Sequence, residues 1–293
     1  VSATVAGAIS PDWLALREDA DAAARAVELL DPLRAHLAGR PERPLVVRDL
    51  GCGSGSMARW LAGRLPGPQH WVLYDHDPRL LALAAARLPD KAQDGGPVTA
   101  ETRRRDITRL RAADLEGTSL VTASALLDLL TGPDVVGLAD ACAGANGGAG
   151  CPALLVLTVV GRVELTPADP LDAAIAEAFN AHQRRTRGTP VPVTLPQTTA
   201  RKLGPDAVEA AVEAFTRAGM AVHRRSSPWR LGPEQAALTA EWLRGWVRYA
   251  VEQRPELAFA ARPYLRRRLD QCAAGELHAV VGHEDLLALP AGG

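Results

Sequence analysis

Lysine is nearly absent from this chain of 293 residues: only Lys91 and Lys202 occur, and every other basic residue is Arg. With the abundance of Ala, this bias points to a high-GC bacterial gene. Aromatics make up 4 % of the chain, yet half of them are Trp, so where they fall is informative. Neither charge sign dominates: 33 basic residues face 34 acidic ones, a formal net charge of −1. That balance disfavours a strongly basic nucleic-acid binder. The four cysteines, Cys52, Cys142, Cys151 and Cys272, form no C-x-x-C pair. No Cys/His spacing suits zinc, so no metal is expected. A chain of this length needs no disulfide scaffold, so reduced thiols and a cytoplasmic location are expected. No apolar run of about 18 residues occurs, so no transmembrane helix is expected. The first residues hold no basic segment followed by an apolar stretch, so no secretion signal is expected either.

What is present reads as a folded α/β protein. Apolar residues are 47 % and charged residues 23 %, ordinary for a globular chain. Ser10-Pro11-Asp12 is a helix start. Trp13, Leu16, Ala20, Ala24, Val27 and Leu30 then recur at helical spacing, so they predict one buried face, with a break or bend at Pro32. Short apolar runs follow at 45–50, 70–74, 98–105, 120–123 and 153–160, separated by helical segments. That alternation predicts a doubly wound, mostly parallel sheet. Asp77-Pro78 predicts a helix cap with Pro at the first position. A helix at about 169–185, a Pro/Thr-rich loop at 188–199, a sixth strand at 220–224, two long helices at 233–253 and 255–274, and a last strand at 277–281 complete seven strands.

The strongest motif is Asp49-Leu50-Gly51-Cys52-Gly53-Ser54-Gly55, between the first strand and its helix. Such a turn lets a ligand lie against the backbone and receive its N–H groups. The dinucleotide pattern G-x-G-x-x-G needs a glycine three residues after the second one; that position is Ser56. The spacing here is D-x-G-x-G-x-G. An acid before the loop repels a pyrophosphate but suits an ammonium group. The segment resembles motif I of class I S-adenosylmethionine (SAM)-dependent methyltransferases. The resemblance is strong over about residues 40–160.

It implies a Rossmann-like fold, SAM as cofactor and S-adenosylhomocysteine as product. It places Asp49, Gly51, Cys52, Gly53 and Gly55 around the cofactor. Asp75, at the end of strand two, would accept both ribose hydroxyls, with His76 beside it. Asp106 would accept the adenine amino group, with Ile107 beside the ring. Ser124 to Asp128 would line the adenine and the methyl-transfer channel. No Asn/Asp-Pro-Pro-Tyr/Phe follows strand four, which disfavours DNA amino-methylating enzymes.

The remaining segments are expected to choose the substrate: an N-terminal helical lid at 1–40 and cap insertions at about 161–203 and 226–276 in a SAM-binding domain of 41–293. Arg17, Asp21 and Arg25, four apart on the first helix, form a solvated ion-pair ladder, or Arg17 or Arg25 closes over the cofactor carboxylate or an acidic substrate. His182 shares a helix face with Phe179 and is the candidate base for an acceptor hydroxyl or amine, with a hydrogen-bonded core His as the alternative. Gln183 flanks it. Trp242 and Trp246, with Tyr249, are either an aromatic wall for a planar substrate or helix packing; Trp229 follows strand six and could reach the pocket. The expected function is methyl transfer to a small, planar or acidic metabolite, with a homodimer possible. The alternatives are a methyltransferase for protein or tRNA, and a SAM-binding subunit or sensor without activity. A nucleotide-sugar or NAD enzyme is disfavoured by Ser56.

Overall fold

The computed structural model describes residues 4–5, 8–38, 44–185 and 201–291. Its centre is an eight-stranded sheet. The strands are β1 (Leu45–Leu50), β2 (Gln69–Asp75), β3 (Val98–Arg104), β4 (Leu120–Ser124), β5 (Ala153–Thr166), β6 (Met220–Ser226), β7 (Trp229–Leu231) and β8 (His278–Pro290). Their order is β3-β2-β1-β4-β5-β8-β6, with β7 added to β8. β3 to β5 pair in parallel through β2, β1 and β4, and β8 runs antiparallel to β5, β6 and β7. The mostly parallel α/β fold expected from the sequence is present. The added strand is the three-residue β7, too short to show alternation.

The sheet order reverses between β1 and β4. At such a switch point the two following connections leave toward opposite faces, and a crevice opens beyond the strands' carboxyl ends. The glycine motif stands at that crevice. β1 can sit in the middle because its side chains are apolar on both faces. Arg48, its one charged interruption besides Asp49, is buried and satisfied by the Tyr74 hydroxyl and Thr118 Oγ1.

Nine helices occur among the described residues: α1 (Pro11–Ala24), α2 (Leu30–Ala38), α3 (Ser56–Ala62), α4 (Pro78–Ala86), α5 (Gly132–Gly144), α6 (Asp172–Gln183), α7 (Ala207–Arg217), α8 (Ala236–Gln253) and α9 (Ala258–Ala273). Asp77 caps α4 by accepting from Arg79 N at 2.8 Å. Core residues of α6, α8 and α9 form a cluster of their own with Trp13 of α1 and Trp229 of β7.

Two expectations need correction. The N-terminal helix breaks at Arg25–Ala26, not at Pro32; Pro32 lies in the first turn of α2, where a missing N–H costs nothing. The buried face of α1 is also different. Leu16 and Val27 are exposed, whereas Trp13, Asp21 and Arg25 are buried. The Pro/Thr-rich loop at 188–199 lies outside the described residues.

Candidate cofactor and substrate site

A cavity of about 930 Å³ opens at the switch point, floored by the glycine loop and roofed by α1. Asp49, Gly51, Cys52, Gly53, Asp75, His76, Asp106, Ile107, Ser124 and Arg17 all line it. The loop holds its shape through backbone. Cys52 N donates to Tyr74 O at 2.8 Å, and Gly53 N donates to Asp75 Oδ2 at 3.0 Å. Gly53 has φ +54°, and a Cβ there would meet Leu14 of α1 at 3.2 Å. A side chain at Gly53 is therefore both strained and crowded by the lid.

Asp75 accepts from Gly53 N and from Asp77 N, the latter at 2.9 Å on Oδ1. Each carboxylate oxygen keeps a further lone pair for a ligand hydroxyl. Asp106 stands at the end of β3, where Thr108 N and Oγ1 donate to its Oδ1. The backbone thus fixes both acids before a ligand arrives.

Two buried side chains, Asp49 on the cavity and Arg25 behind its wall residues Ser56 and Ser124, each keep polar atoms without a hydrogen-bond partner among the described residues. Asp49 is fully buried; Oδ1 accepts from Thr122 at 2.7 Å, and Oδ2 has no donor. Burial pushes its carboxyl up to about 7. Arg25 is buried as well. Its Nη2 donates to Ser56 Oγ at 3.2 Å and Ser124 Oγ at 3.4 Å, while Nε and Nη1 donate to nothing. Burial lowers its pKa, and Asp21, Asp285 and Asp49 pull it back. Leaving such atoms unpaired is costly, so for Asp49 a ligand is the expected partner, whereas the Arg25 guanidinium lies 5.4 Å from the Trp60 ring and off the cavity. An ammonium beside Asp49 and a carboxylate toward the Ser56 and Ser124 hydroxyls are what the amino-acid end of SAM offers. The residues present fit that cofactor.

Several expected site residues lie elsewhere. Gly55 does not line the cavity; a Cβ there would meet the Ala84 backbone and Cβ at 3.0 Å, so its role is close packing of the loop on α4. Asp128 does not line the cavity, although Leu126, Leu129 and Leu130 around it in sequence do. Its Oδ1 is sealed, and burial pushes the carboxyl up to about 6. His182 is not on the cavity. Its Nε2 lies 3.3 Å from Glu252, and its ring lies 4.7 Å from that of Tyr249. Burial is the main cause of its lowered pKa. Phe179, Trp242 and Trp246 are core: the two indoles stack at 5.0 Å, because helix packing hides that stripe. Gln183 lies at the end of α6, against Gly204, also off the cavity.

Trp229 is buried below the lid, where its Nε1 donates to Asp21 Oδ1 at 2.9 Å. Arg17 binds Asp21 through two hydrogen bonds, 2.8 and 3.0 Å, and its guanidinium lies 4.9 Å from the Trp229 ring. The Arg17–Asp21 step of the ladder is thus a buried network, not a solvated one.

Leu126 lines the cavity as the 124–128 segment was expected to, whereas Ile9, Trp13 and Leu14 in the roof and Leu129 and Leu130 in the wall were not foreseen as lining residues. Only the i, i+4 spacing of Trp13, Arg17 and Asp21 signalled a shared face. Among the described residues, no helix is long and apolar enough to cross a membrane, and no group of three His, Cys, Asp or Glu could hold a metal.

Residues 47–146 match a family model described as a methyltransferase domain. No curated protein sequence matches the chain. Among solved structures, it is similar to a cyclopropane synthase of Mycobacterium tuberculosis, with 13 % identity over 95 % of this chain and 94 % of that one, TM-score 0.47. It is also similar to a SAM-dependent methyltransferase of Geobacter sulfurreducens in complex with S-adenosylhomocysteine, with 16 % identity over 96 % and 99 %, TM-score 0.44. A third is a geranyl diphosphate C-methyltransferase of Streptomyces coelicolor, with 10 % identity over 90 % and 80 %, TM-score 0.40.

Proposed function

We propose that this chain, whose residues 47–146 match a methyltransferase domain, is a class I SAM-dependent methyltransferase that methylates a small, planar metabolite held under α1. The observation that carries this reading is the size and lining of the cavity under α1. Its volume of about 930 Å³ lies at the upper end of the range of roughly 300–1,000 Å³ for small-molecule sites. Part of its lining is apolar: Ile9, Trp13, Leu14, Leu126, Leu129 and Leu130. Arg17, the cation of this part, is already neutralised by Asp21. That favours a planar acceptor over an acidic one. A protein or tRNA would need a wider open face, and α1 lies over part of this one.

When bound, SAM supplies an electrophilic methyl group on a sulfonium. Asp75 and Asp106 hold the nucleoside end. Asp49 and the Ser56 and Ser124 hydroxyls, which Arg25 braces, hold the amino-acid end. Leu14 and Trp13 of the lid exclude water, and a low-polarity enclosure favours a step in which positive charge is lost. Because His182 is off the cavity, the chain's contribution is position: two reactants held in line. The test is to incubate the protein with methyl-tritiated SAM and a cell extract, then to separate small molecules from protein and RNA. Label in the small-molecule fraction is expected. Label in protein or RNA would overturn the choice of substrate, and none anywhere would favour a binding role without transfer.

A further inference from the structure

Asp285 lies in β8, outside the cavity and outside every motif of the sequence. It is 1 % exposed. Its carboxylate joins three separate segments. Oδ2 accepts from Ala26 N at 2.8 Å, at the break between α1 and α2. Oδ1 accepts from Leu157 N at 2.7 Å and from Ser227 Oγ at 2.5 Å. Leu157 has φ +58°, a conformation unfavourable for a branched residue. It follows directly on the β4-paired stretch of β5, whose last paired residue is Val156. Ser227 precedes Trp229, which packs on Trp13 and donates to Asp21. A buried carboxylate with three donors is a strong tie, because each bond is charge-assisted.

The hinge so tied carries Arg25. Its guanidinium donates to the oxygens of Ser56 and Ser124, both on the cavity wall. A hydroxyl whose oxygen accepts from Arg25 has its own proton free to turn toward a ligand. Arg25 therefore presents two O–H donors, where the carboxylate of the cofactor's amino-acid end would lie.

We propose that Asp285 is a positioning residue for the cofactor: by fixing the α1–α2 hinge it holds Arg25, and through Arg25 the Ser56 and Ser124 hydroxyls, in register with the carboxylate of bound SAM. This rests on the reading of the cavity as a SAM site. Asp285 touches no ligand and acts only through the hinge.

The test compares two ligands that share the nucleoside. SAM carries the amino-acid end; methylthioadenosine lacks it. Calorimetry with Asp285→Asn should show SAM affinity reduced at least about tenfold and methylthioadenosine affinity changed less than about threefold, as a lost charge-assisted contact at one end requires. Hydrogen exchange over 11–24 should become faster. A second variant guards against failure to fold. Ala26 has φ −72° and Arg25 is extended, so Ala26→Pro suits the local backbone while removing the N–H that Asp285 accepts. It should reproduce the same split. The proposal is overturned if folded variants bind SAM as the wild type does, or if affinity for both ligands falls together. Wild-type protein that bound neither ligand would instead overturn the cofactor reading, and this inference with it.

Discussion

Asp49 is the carboxyl whose charge depends most on what fills the cavity. Burial, outweighing Thr122 and Arg25, raises it to about 7 from an ordinary 3.8. A raised carboxyl favours the folded state below its unfolded value, and that contribution is lost as pH rises toward 7. A ligand ammonium reverses the preference, because it needs the carboxylate. SAM affinity should therefore rise with pH through about 7, and Asp49→Asn should flatten that dependence; titration calorimetry at several pH values checks it. Asp75→Ala should weaken SAM by roughly 2–4 kcal/mol, through lost charge-assisted hydrogen bonds and a loosened Gly53. His182→Asn should leave SAM affinity and turnover unchanged, since His182 answers to Glu252 and not to the cavity. A fall in turnover with intact SAM binding would restore it as a base.

At the scale of elements, α8 shows what a stripe of aromatics does here. Trp242 and Trp246 are buried against α6 and each other. Trp246→Ala should cost about 3–5 kcal/mol of stability in urea unfolding, with SAM affinity unaltered in the folded protein. A substrate wall would give the opposite pattern. Spacing made this stripe legible in the sequence, but not its partner, because core and pocket stripes share one periodicity. The parallel sheet was legible for a simpler reason: β1, β2, β4 and the start of β5 are apolar runs ending in turn residues. The lid was half legible. Pro11 and Ser10 mark where α1 starts, yet at the break at Arg25–Ala26 the Ala26 N–H donates to Asp285, about 260 residues away. No local signal announces a tie of that length.

Across the whole molecule, residues distant in sequence supply what the motifs alone do not. The glycine loop, Asp75 and Asp106 mark the site from sequence, because each ends a strand. The roof and the buried groups of Arg25 and Asp285 arise only when α1 folds over the sheet. His283, next to Asp285 in chain neighbourhood, lies against Trp229 at 5.2 Å, and burial lowers its pKa to about 3. A lowered His costs stability as pH falls: the unfolded chain takes up the proton near 6.5 and the fold does not. Unfolding midpoints should therefore drop between about pH 6.5 and 3, and His283→Phe should lessen that drop.

The central claim is that the switch-point cavity takes SAM through a loop and acids unsuited to a dinucleotide. Calorimetry of the wild-type chain and of Gly53→Val, titrated with SAM and with NAD, tests it most directly. One SAM per wild-type chain, no comparable binding of NAD, and loss of SAM from a folded Gly53→Val protein are the results expected. NAD bound as tightly as SAM, or SAM bound unchanged by Gly53→Val, would contradict the account.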